Sequence, residues 1–487
     1  MNTTLIVFVV LYLLGTLAIG VWAGSRVKNT ADFAIAGRSL PLIMVVTTTF
    51  ATWFGAETVM GIPAKFVQGG LGAVVEDPFG AGMCLILVGL FFAAKLYQKN
   101  LLTIGDFYRQ RYGKGVEIFC SLAIILSYLG WVAAQITALG LVFSVLTNGA
   151  MSPAVGMVIG TLAVLIYVVI GGFMAVAWTD FIQMIVLVVG LSVIAVFAAD
   201  LAGGAGVVLD LASQKNLGQF LPAPTFTEVV FFIAAALTMM LGSIPQQDVF
   251  QRVMSAQDAK TAQRGAVIGG VGYILFAFVP MFIVLAAVVV MGDQAMDLAQ
   301  NDYQRVLPSF IMGHMPLLMQ ILFFGALLSA IKSTSSATLL APTTSFVENI
   351  LKQIRPAMTD KQQLLAMRVA LVVFAFAVLV YAIAMQGTPI YELVSGAYQV
   401  TLVGAFVPLV VGLYWQRATT QGAIFSIFAG VATWVLFFPQ VSTWGEVFPG
   451  QLAGLIAAAV GMVVGSLAPQ VLADRHDHVS HHLKPHP

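Results

Sequence analysis

The chain has very little charge for its length. Only 9% of its 487 residues are Asp, Glu, Lys or Arg, whereas 60% are hydrophobic. A soluble domain of this size needs far more charged surface, so water is excluded as the main solvent and a lipid bilayer is indicated. The formal net charge of +1 gives no overall field that would attract nucleic acid. The composition therefore predicts an all-α, polytopic membrane protein.

Cysteine and histidine are also scarce. Cys84 and Cys120 lie in apolar runs without metal-type spacing, which predicts buried, unreactive thiols. Five of the six histidines fall in the tail at 471–487, which predicts a solvated cytoplasmic tail, with metal binding as the alternative. The sequence has no HExxH or GxSxG motif and no paired histidines within apolar runs, which argues against an intramembrane enzyme.

Thirteen apolar segments are long enough to cross a bilayer, which takes about 20 residues. No basic region precedes the first segment, so we expect a spanning helix there and not a signal peptide. The predicted spans are 4–23, 40–62, 71–94, 117–146, 154–173, 177–199, 227–250, 267–291, 317–345, 365–386, 390–414, 421–438 and 447–469.

The basic residues are distributed unevenly between the loops that connect these spans. Eighteen of the 22 lysines and arginines, Arg252 among them, fall in alternate loops and the C-terminal tail, and only three fall in the other loops. Cytoplasmic loops are rich in Lys and Arg, so we predict a plasma (inner) membrane protein with its N-terminus outside and its C-terminus in the cytoplasm. Lys332 is left over as the basic residue inside a span.

Two of the predicted spans are interrupted. The second span has a polar centre at 47–52, followed by Gly55 and Glu57, and the seventh contains Pro245, which removes a backbone donor. They lie five spans apart, as expected for two inverted repeats whose broken helices form a site at mid-membrane depth. Ordinary helix kinks are the alternative. The predicted units are an extra N-terminal helix with its loop (1–39), a first repeat (40–200), a second repeat (227–414), two C-terminal helices (415–470) and the tail (471–487).

Ionisable groups inside spans cost several kcal/mol unless they are paired or hydrated, so each is a candidate functional residue. For Glu76 and Asp77 a solvated outer face fits as well as a site. The candidates are Glu57, Glu76, Asp77, Asp180, Asp248 and Lys332, with Glu392 near a helix end.

The ninth span is rich in hydroxyl groups between Ser329 and Ser336. On a helix, residue 330 lies one turn below residues 333 and 334, so the Ala330 carbonyl and the Ser333 and Thr334 hydroxyls can face one Na⁺ together. The alternative is that small residues here permit close helix packing.

One segment, 171–183 (GGFMAVAWTDFIQ), closely resembles the signature of the sodium:solute symporter family, which includes sodium–glucose, sodium–proline and high-affinity choline transporters. The resemblance runs from 33–40 (FAIAGRSL) through the eleventh span. It implies the inverted-repeat fold of the LeuT type, alternating access and sodium as coupling ion. The residues that it implies for sodium are Ala51, Phe54, Ala330, Ser333 and Thr334, with Asp180 on the sodium exit path.

Lys332 departs from the family pattern, in which this position is usually apolar. Three interpretations remain open. Lys332 pairs with Asp180 or Glu57 and leaves sodium coupling intact. It titrates and makes the coupling ion H⁺, because burial disfavours a charged ammonium. Or it takes the ion's place, which makes transport uncoupled.

Three local stretches, 51–55, 242–245 and 250–253, resemble the choline-transporter branch, in which aromatic side chains bind a quaternary ammonium. Gln246 and Ala81 stand where that branch has aromatic residues, so the cage is incomplete. Carboxylates beside two tryptophans predict a small polar solute, either a choline-like amine or an amino acid. The residues predicted to bind it are Trp53, Glu57, Trp131, Gln246 and Asp248.

Other classes of membrane protein fit less well. A channel would need a ring of identical ligands or a filter loop, and the sequence shows neither. A membrane sensor that binds a solute without transporting it remains an alternative. The expected partners are the lipid bilayer and a small solute, with no obligate protein partner and no nucleic acid.

Overall fold

The computed structural model describes residues 3–438 and 440–472; most of the His-rich tail, 473–487, lies outside them. The described residues form helices and their connections, with one isolated β-bridge between Leu40 and Ala256. The predicted all-α fold class is thereby confirmed.

The helices that build the body follow one another along the chain. Nine helices of the described residues are long and apolar enough to cross a membrane, or ten if one bent pair is a single span. The elements are α1 (Thr3–Gly24), α2 (Leu42–Phe50), α3 (Ile62–Gly69), α4 (Leu71–Tyr97), α5 (Lys114–Leu146), α6 (Pro153–Leu201), α7 (Phe226–Gly242), α8 (Gln247–Met254), α9 (Ala259–Met291), α10 (Leu317–Ile354), α11 (Asp360–Ala384), α12 (Ile390–Tyr414), α13 (Thr420–Leu436) and α14 (Gly450–Leu467).

Short helices connect the long ones. Their first turns are often closed by side chains, as where the Thr103 hydroxyl accepts a hydrogen bond from Asp106 N and the Asp106 carboxylate accepts one from Thr103 N. The short α-helices are Thr30–Ile35, Ile104–Tyr112, Ala205–Gln214, Asp293–Asn301 and Val306–His314.

The outer faces of the long helices are apolar. On α1, Val7, Leu11 and Leu14 are 49%, 58% and 55% exposed, and Val196 of α6 is 73% exposed. Water would leave these side chains unfavourably hydrated, whereas lipid tails solvate them, and the helices satisfy their own backbone groups. The exposed pattern therefore supports a body that is embedded in a membrane.

The long helix α6 is broken at Gly172. Its φ of 49° and ψ of −144° are not helical, and a Cβ atom at this position would lie 2.5 Å from the carbonyl oxygen of Phe33. Glycine therefore permits both the break and the close approach of the segment before α2. The predicted fifth and sixth spans lie largely on either side of this break, but by length and composition α6 is one span, so the count of thirteen stays a prediction.

Both predicted interruptions are present. Helix α2 ends at Phe50, and helical structure resumes as a π-helical turn at Glu57–Gly61 before α3. Helices α7 and α8 are bent by 49° relative to each other, at the segment that contains Pro245. Broken helices expose backbone carbonyls inside the body, which positions the site described next.

Candidate functional site

A small cavity lies between the end of α2, α6 and the middle of α10. Its volume is about 10 Å³, room for about one particle the size of water. Four of the five residues predicted to bind sodium line it: Ala51, Phe54, Ala330 and Ser333. The sequence therefore identified residues from two distant segments that the fold brings to one cavity.

Thr334, the fifth predicted residue, lies at the edge of this cavity. Its hydroxyl donates a hydrogen bond to the Ala51 carbonyl at 3.4 Å. The backbone approaches closely here, because a Cβ atom on Gly55 would lie 2.7 Å from the Thr334 hydroxyl. The break in α2 is thus packed directly against the hydroxyl-rich part of α10.

Asp180 of α6 is tied to the same place. Its two carboxylate oxygens accept hydrogen bonds from the Ser333 hydroxyl at 2.5 Å and the Thr48 hydroxyl at 2.7 Å. All three side chains are buried. Asp180 therefore touches a predicted sodium ligand, which is the neighbourhood expected for a residue on the sodium path.

Arg252 of α8 is the main site residue that the sequence analysis missed. Its guanidinium is completely buried and lies 3.6 Å from the Asp180 carboxylate and 4.0 Å from the Asp248 carboxylate. Its Nε donates to the Thr48 carbonyl at 2.6 Å, and Nη2 donates to the Ala51 carbonyl at 3.5 Å. One cation therefore neutralises two buried carboxylates and holds the end of α2.

The prediction that Arg252 lies in a cytoplasmic loop is wrong. The predicted seventh span stops at residue 250, whereas α8 continues to Met254 and buries the arginine. The spacing of Asp248 and Arg252, four residues apart just after a broken helix, was the signal that could have revealed the pair.

Asp248 connects this region to an aromatic cluster. The Tyr128 hydroxyl donates to the Asp248 carboxylate at 2.5 Å and accepts from Asp248 N at 2.9 Å. Tyr128 stacks on Trp131, with ring centroids 5.8 Å apart and planes 14° apart. Asp248 is thus held between Arg252 and Tyr128.

The two predicted tryptophans meet around Tyr398, a residue that the sequence analysis did not select. The Trp53 indole donates to the Tyr398 hydroxyl at 2.7 Å, and the rings of Trp131 and Tyr398 lie 5.3 Å apart. Trp53 and Trp131 are 0% and 1% exposed. Anchoring at the membrane surface is therefore excluded for both.

Gln246 lies beside this cluster at the start of α8. Its amide nitrogen donates to the Ser127 hydroxyl at 2.9 Å and to the Thr401 hydroxyl at 3.3 Å. The side chain is buried between α5 and α12. Gln246 therefore joins helices of the two predicted repeats.

Glu57 lies just past the break in α2 and is completely buried. Its Oε2 accepts from the Gln135 amide at 2.6 Å. Tyr273 of α9 donates to the Asp77 carboxylate and is hydrogen-bonded to the Thr58 hydroxyl, which links Asp77 to the residue after Glu57.

The solvated-face interpretation of Glu76 and Asp77 does not describe this structure, because they are only 6% and 1% exposed. The Ser395 hydroxyl donates to Glu76 at 2.8 Å, and both residues line an open cavity of about 830 Å³, here called the vestibule. This vestibule is also lined by Lys65 and Tyr391. Glu76 borders the vestibule, and Asp77 is the next residue of the chain.

Lys332 is turned away from the carboxylates. Its ammonium donates to the Thr16 hydroxyl of α1 and lies 5.2 Å from the ring of Tyr167. Within the described part of the chain, neither Asp180 nor Glu57 forms an ion pair with it. The pairing expected in the first interpretation of Lys332 is therefore not present.

The model of the sodium:solute symporter family matches residues 33–430. The chain belongs to the sodium:solute symporter family. This confirms the predicted family and excludes an enzyme, since these proteins are transporters. Membership, together with the apolar helices, also makes the protein a multi-pass membrane transporter and supports sodium-coupled transport of a small solute.

Several curated relatives cover most of this symporter. High-affinity choline transporter 1 of Caenorhabditis elegans is 28% identical over 443 residues, which cover 86% of this chain and 75% of the relative. The human high affinity choline transporter 1 is 28% identical over 441 residues, covering 88% and 75%. The high-affinity proline transporter PutP of Bacillus subtilis is 27% identical over 477 residues, covering 94% and 98%.

Solved structures show the same fold for this symporter. A Na⁺-coupled sialic acid symporter in a substrate-bound outward-open state superposes with a TM-score of 0.83 at 20% identity, covering 95% of this chain and 97% of that one. MhsT in complex with L-phenylalanine superposes with a TM-score of 0.52 at 15% identity, covering 88% and 98%. At these identities the similarity concerns the fold.

Proposed function

We propose that this symporter uses a sodium gradient to import a small polar organic solute by alternating access. The observation that carries the proposal is the small cavity at the break in α2, which Ala51, Phe54, Ala330 and Ser333 line together. Such neutral oxygen groups, freed where a helix is unwound, suit Na⁺. Family membership supports the same ion.

We further propose the thirteen-span layout, with repeats at 40–200 and 227–414, an extra helix at the N-terminus and two at the C-terminus. The breaks between α2 and α3 and between α7 and α8 support it, as does the break in α6 at Gly172. In this layout the N-terminus faces outward, the C-terminus faces the cytoplasm, and the vestibule beside Glu76 opens to the outside.

The proposed solute is an amine or an amino acid bound near Trp53, Trp131, Glu57, Gln246 and Asp248. Relatives are named for choline and proline, which are both small nitrogen-containing solutes. The aromatic faces around Tyr398 can stabilise a cationic nitrogen, and the carboxylates add attraction for the same charge.

A proton-coupled or uncoupled transporter is the second candidate, and Lys332 is the observation that favours it. A lysine directly before Ser333 places an ammonium near the proposed ion cavity, and it is buried. Its ammonium bonds to Thr16, on the α1 side, and Lys332 is not among the residues that line the cavity, which favours sodium as the coupling ion over this second candidate.

Uptake into proteoliposomes tests the proposal. Vesicles containing the purified protein would be given labelled choline, proline or ethanolamine with an inward Na⁺ gradient or with equimolar K⁺. We expect accumulation of at least one probe only with Na⁺. Uptake that is equally strong in K⁺ would contradict sodium coupling, and accumulation driven by a pH gradient would favour the second candidate.

A further inference from the structure

Two buried carboxylates, Glu57 and Asp77, are linked through Tyr273, and within the described part of the chain neither forms an ion pair. They are 0% and 1% exposed, and the Tyr273 hydroxyl bonds to Asp77 and to Thr58, the residue after Glu57. In the described part of the chain the ion pairs involve neither of them, whereas Asp180 and Asp248 share Arg252. Burying a carboxylate without a positive partner is unfavourable in free energy. We therefore expect this pair to bind either a cationic ligand or protons.

Three polar atoms around this pair are left without a hydrogen-bond partner among the described residues. They are Oε1 of Glu57, Oδ2 of Asp77 and the indole Nε1 of Trp131. Trp131 is 1% exposed and lies one helical turn from Gln135, whose amide bonds to Glu57. Buried polar atoms in proteins normally have partners, so two acceptors and one donor together indicate a ligand that supplies N–H donors and one oxygen acceptor.

Aromatic rings surround the carboxylates. The centroid of the Tyr273 ring lies 6.3 Å from that of Trp53 and 5.9 Å from that of Phe54, and Trp131 packs on Tyr398. Hard metal ions prefer a shell of oxygen ligands, whereas an organic ammonium gains from both carboxylates and aromatic faces. The surroundings therefore favour an organic cation over a second sodium ion.

The vestibule offers a route to this place. Its lining includes Glu76, which accepts a hydrogen bond from the Ser395 hydroxyl, and Asp77 is the next residue of the chain. A carboxylate at the entrance also attracts a positively charged solute.

We propose that Glu57 and Asp77 bind the ammonium group of a protonated primary or secondary amino alcohol, with its hydroxyl accepting from Trp131. This inference rests on the proposed function and narrows its solute. A quaternary ammonium has no N–H to offer the two free carboxylate oxygens. An amino acid would bring a carboxylate next to two others, which disfavours it by like-charge repulsion.

Thermal unfolding of the purified protein tests the proposal with matched probes. Cys84 and Cys120 are buried, so a thiol-reactive dye reports unfolding when they become exposed. Ethanolamine and choline share a skeleton and differ only in N-methylation; ethylamine lacks the hydroxyl, and ethylene glycol lacks the charge. We expect ethanolamine to raise the melting temperature at a concentration at least tenfold lower than the concentration of choline that gives the same rise. Ethylene glycol should have no effect.

Substitutions test whether the stabilisation by ethanolamine depends on the proposed residues. Glu57→Gln and Asp77→Asn should abolish the preference for ethanolamine, whereas Glu446→Gln, which alters an exposed carboxylate away from the vestibule, should keep it. Trp131→Phe keeps an aromatic ring and removes the N–H. It should therefore reduce the stabilisation by ethanolamine and leave the stabilisation by ethylamine unchanged. Equal or better stabilisation by choline, no stabilisation by either amine, or an unchanged preference in Glu57→Gln would overturn the proposal.

Failure of this inference is separable from failure of the proposed function. Binding of ²²Na⁺ at the Ser333 cavity is measured without any solute and does not involve Glu57. If sodium binding is retained but no amine is preferred, the proposal of an amino alcohol is contradicted and the proposal of a sodium symporter stands. Sodium-induced stabilisation that requires Glu57 would instead place an inorganic cation between the two carboxylates, against the inference.

Discussion

Arg252 Nη2 lies 3.6 Å from Asp180 Oδ2, and neither side chain is exposed to solvent. Asp180 bonds to Ser333 at the ion cavity, and the same guanidinium reaches Asp248, which bonds to Tyr128 beside Trp131. A continuous chain of polar contacts therefore joins the proposed ion site to the aromatic cluster. Such a network can transmit the occupancy of one site to the other if it has two arrangements.

Removing the Arg252 charge should destabilise the protein strongly. In Arg252→Gln, two buried carboxylates lose their cation, and breaking a buried pair typically costs about 3–5 kcal/mol. We expect a clear fall in the melting temperature for Arg252→Gln and a smaller one for Arg252→Lys, which keeps the charge and loses the planar fork. A glutamine variant as stable as the parent would contradict this role.

The break in α2 should tolerate no side chain at Gly55. A Cβ atom there would lie 2.7 Å from the Thr334 hydroxyl and 2.8 Å from the Gln135 amide oxygen. We expect Gly55→Ala to weaken ²²Na⁺ binding about tenfold or more by pushing α2 away from α10. Gly325→Ala is the control on α10, because a Cβ atom at Gly325 meets no atom within 4 Å; a similar loss in both variants would refute the local explanation.

Lys332→Met should tighten sodium binding. In its protonated form the ammonium held at Thr16 is a positive charge on the helix that carries Ser333. Removing a charge on the order of 10 Å away, at an effective dielectric constant of about 20, changes the binding free energy by about 1–2 kcal/mol, or about tenfold in affinity. Titration with ²²Na⁺ measures this change, and Lys332→Arg serves as the charge-conserving control.

The same titration separates the interpretations of Lys332. Sodium binding that is absent in the parent and appears only in Lys332→Met would mean that the ammonium takes the ion's place. Unchanged affinity in both variants would mean that Lys332 acts on packing against α1 and not on the ion.

The proposed orientation can be tested with single cysteines. Lys215 and Lys361 are both exposed, and the positive-inside pattern places them on opposite sides of the membrane. In intact cells, a membrane-impermeant maleimide should label Lys215→Cys and not Lys361→Cys; Cys84 and Cys120 should stay silent because they are buried. The reverse labelling pattern would invert the orientation, and labelling of both variants would contradict the topology between them.

Much of the fold could be predicted because bilayer thickness and backbone hydrogen bonding leave few solutions for an apolar chain. The breaks were visible as well, since Pro245 and the polar stretch before Gly55 disrupt helices for local reasons. Ala330, Ser333 and Thr334 could be grouped because they lie one helical turn apart, whereas Ala51 and Phe54 were expected only from the family resemblance.

Other features depend on contacts between distant segments. Arg252 was assigned to a loop because apolar runs alone cannot show that a short polar helix after a break is buried between carboxylates. Tyr398 and Tyr273 lie in ordinary apolar spans, and only packing brings them to Trp53. The orientation of the Lys332 side chain could not be predicted either, because its partner Thr16 belongs to a helix more than 300 residues away in the chain.

Equilibrium binding of ²²Na⁺ to the purified protein tests the central claim most directly. The account predicts saturable binding in the parent protein and its loss in a Ser333→Ala/Thr334→Ala double variant, with a Ser213→Ala variant, altered in an exposed connecting helix, binding like the parent. Sodium binding that survives in the double variant would contradict the account, because the ion would then be held somewhere other than the cavity between α2 and α10.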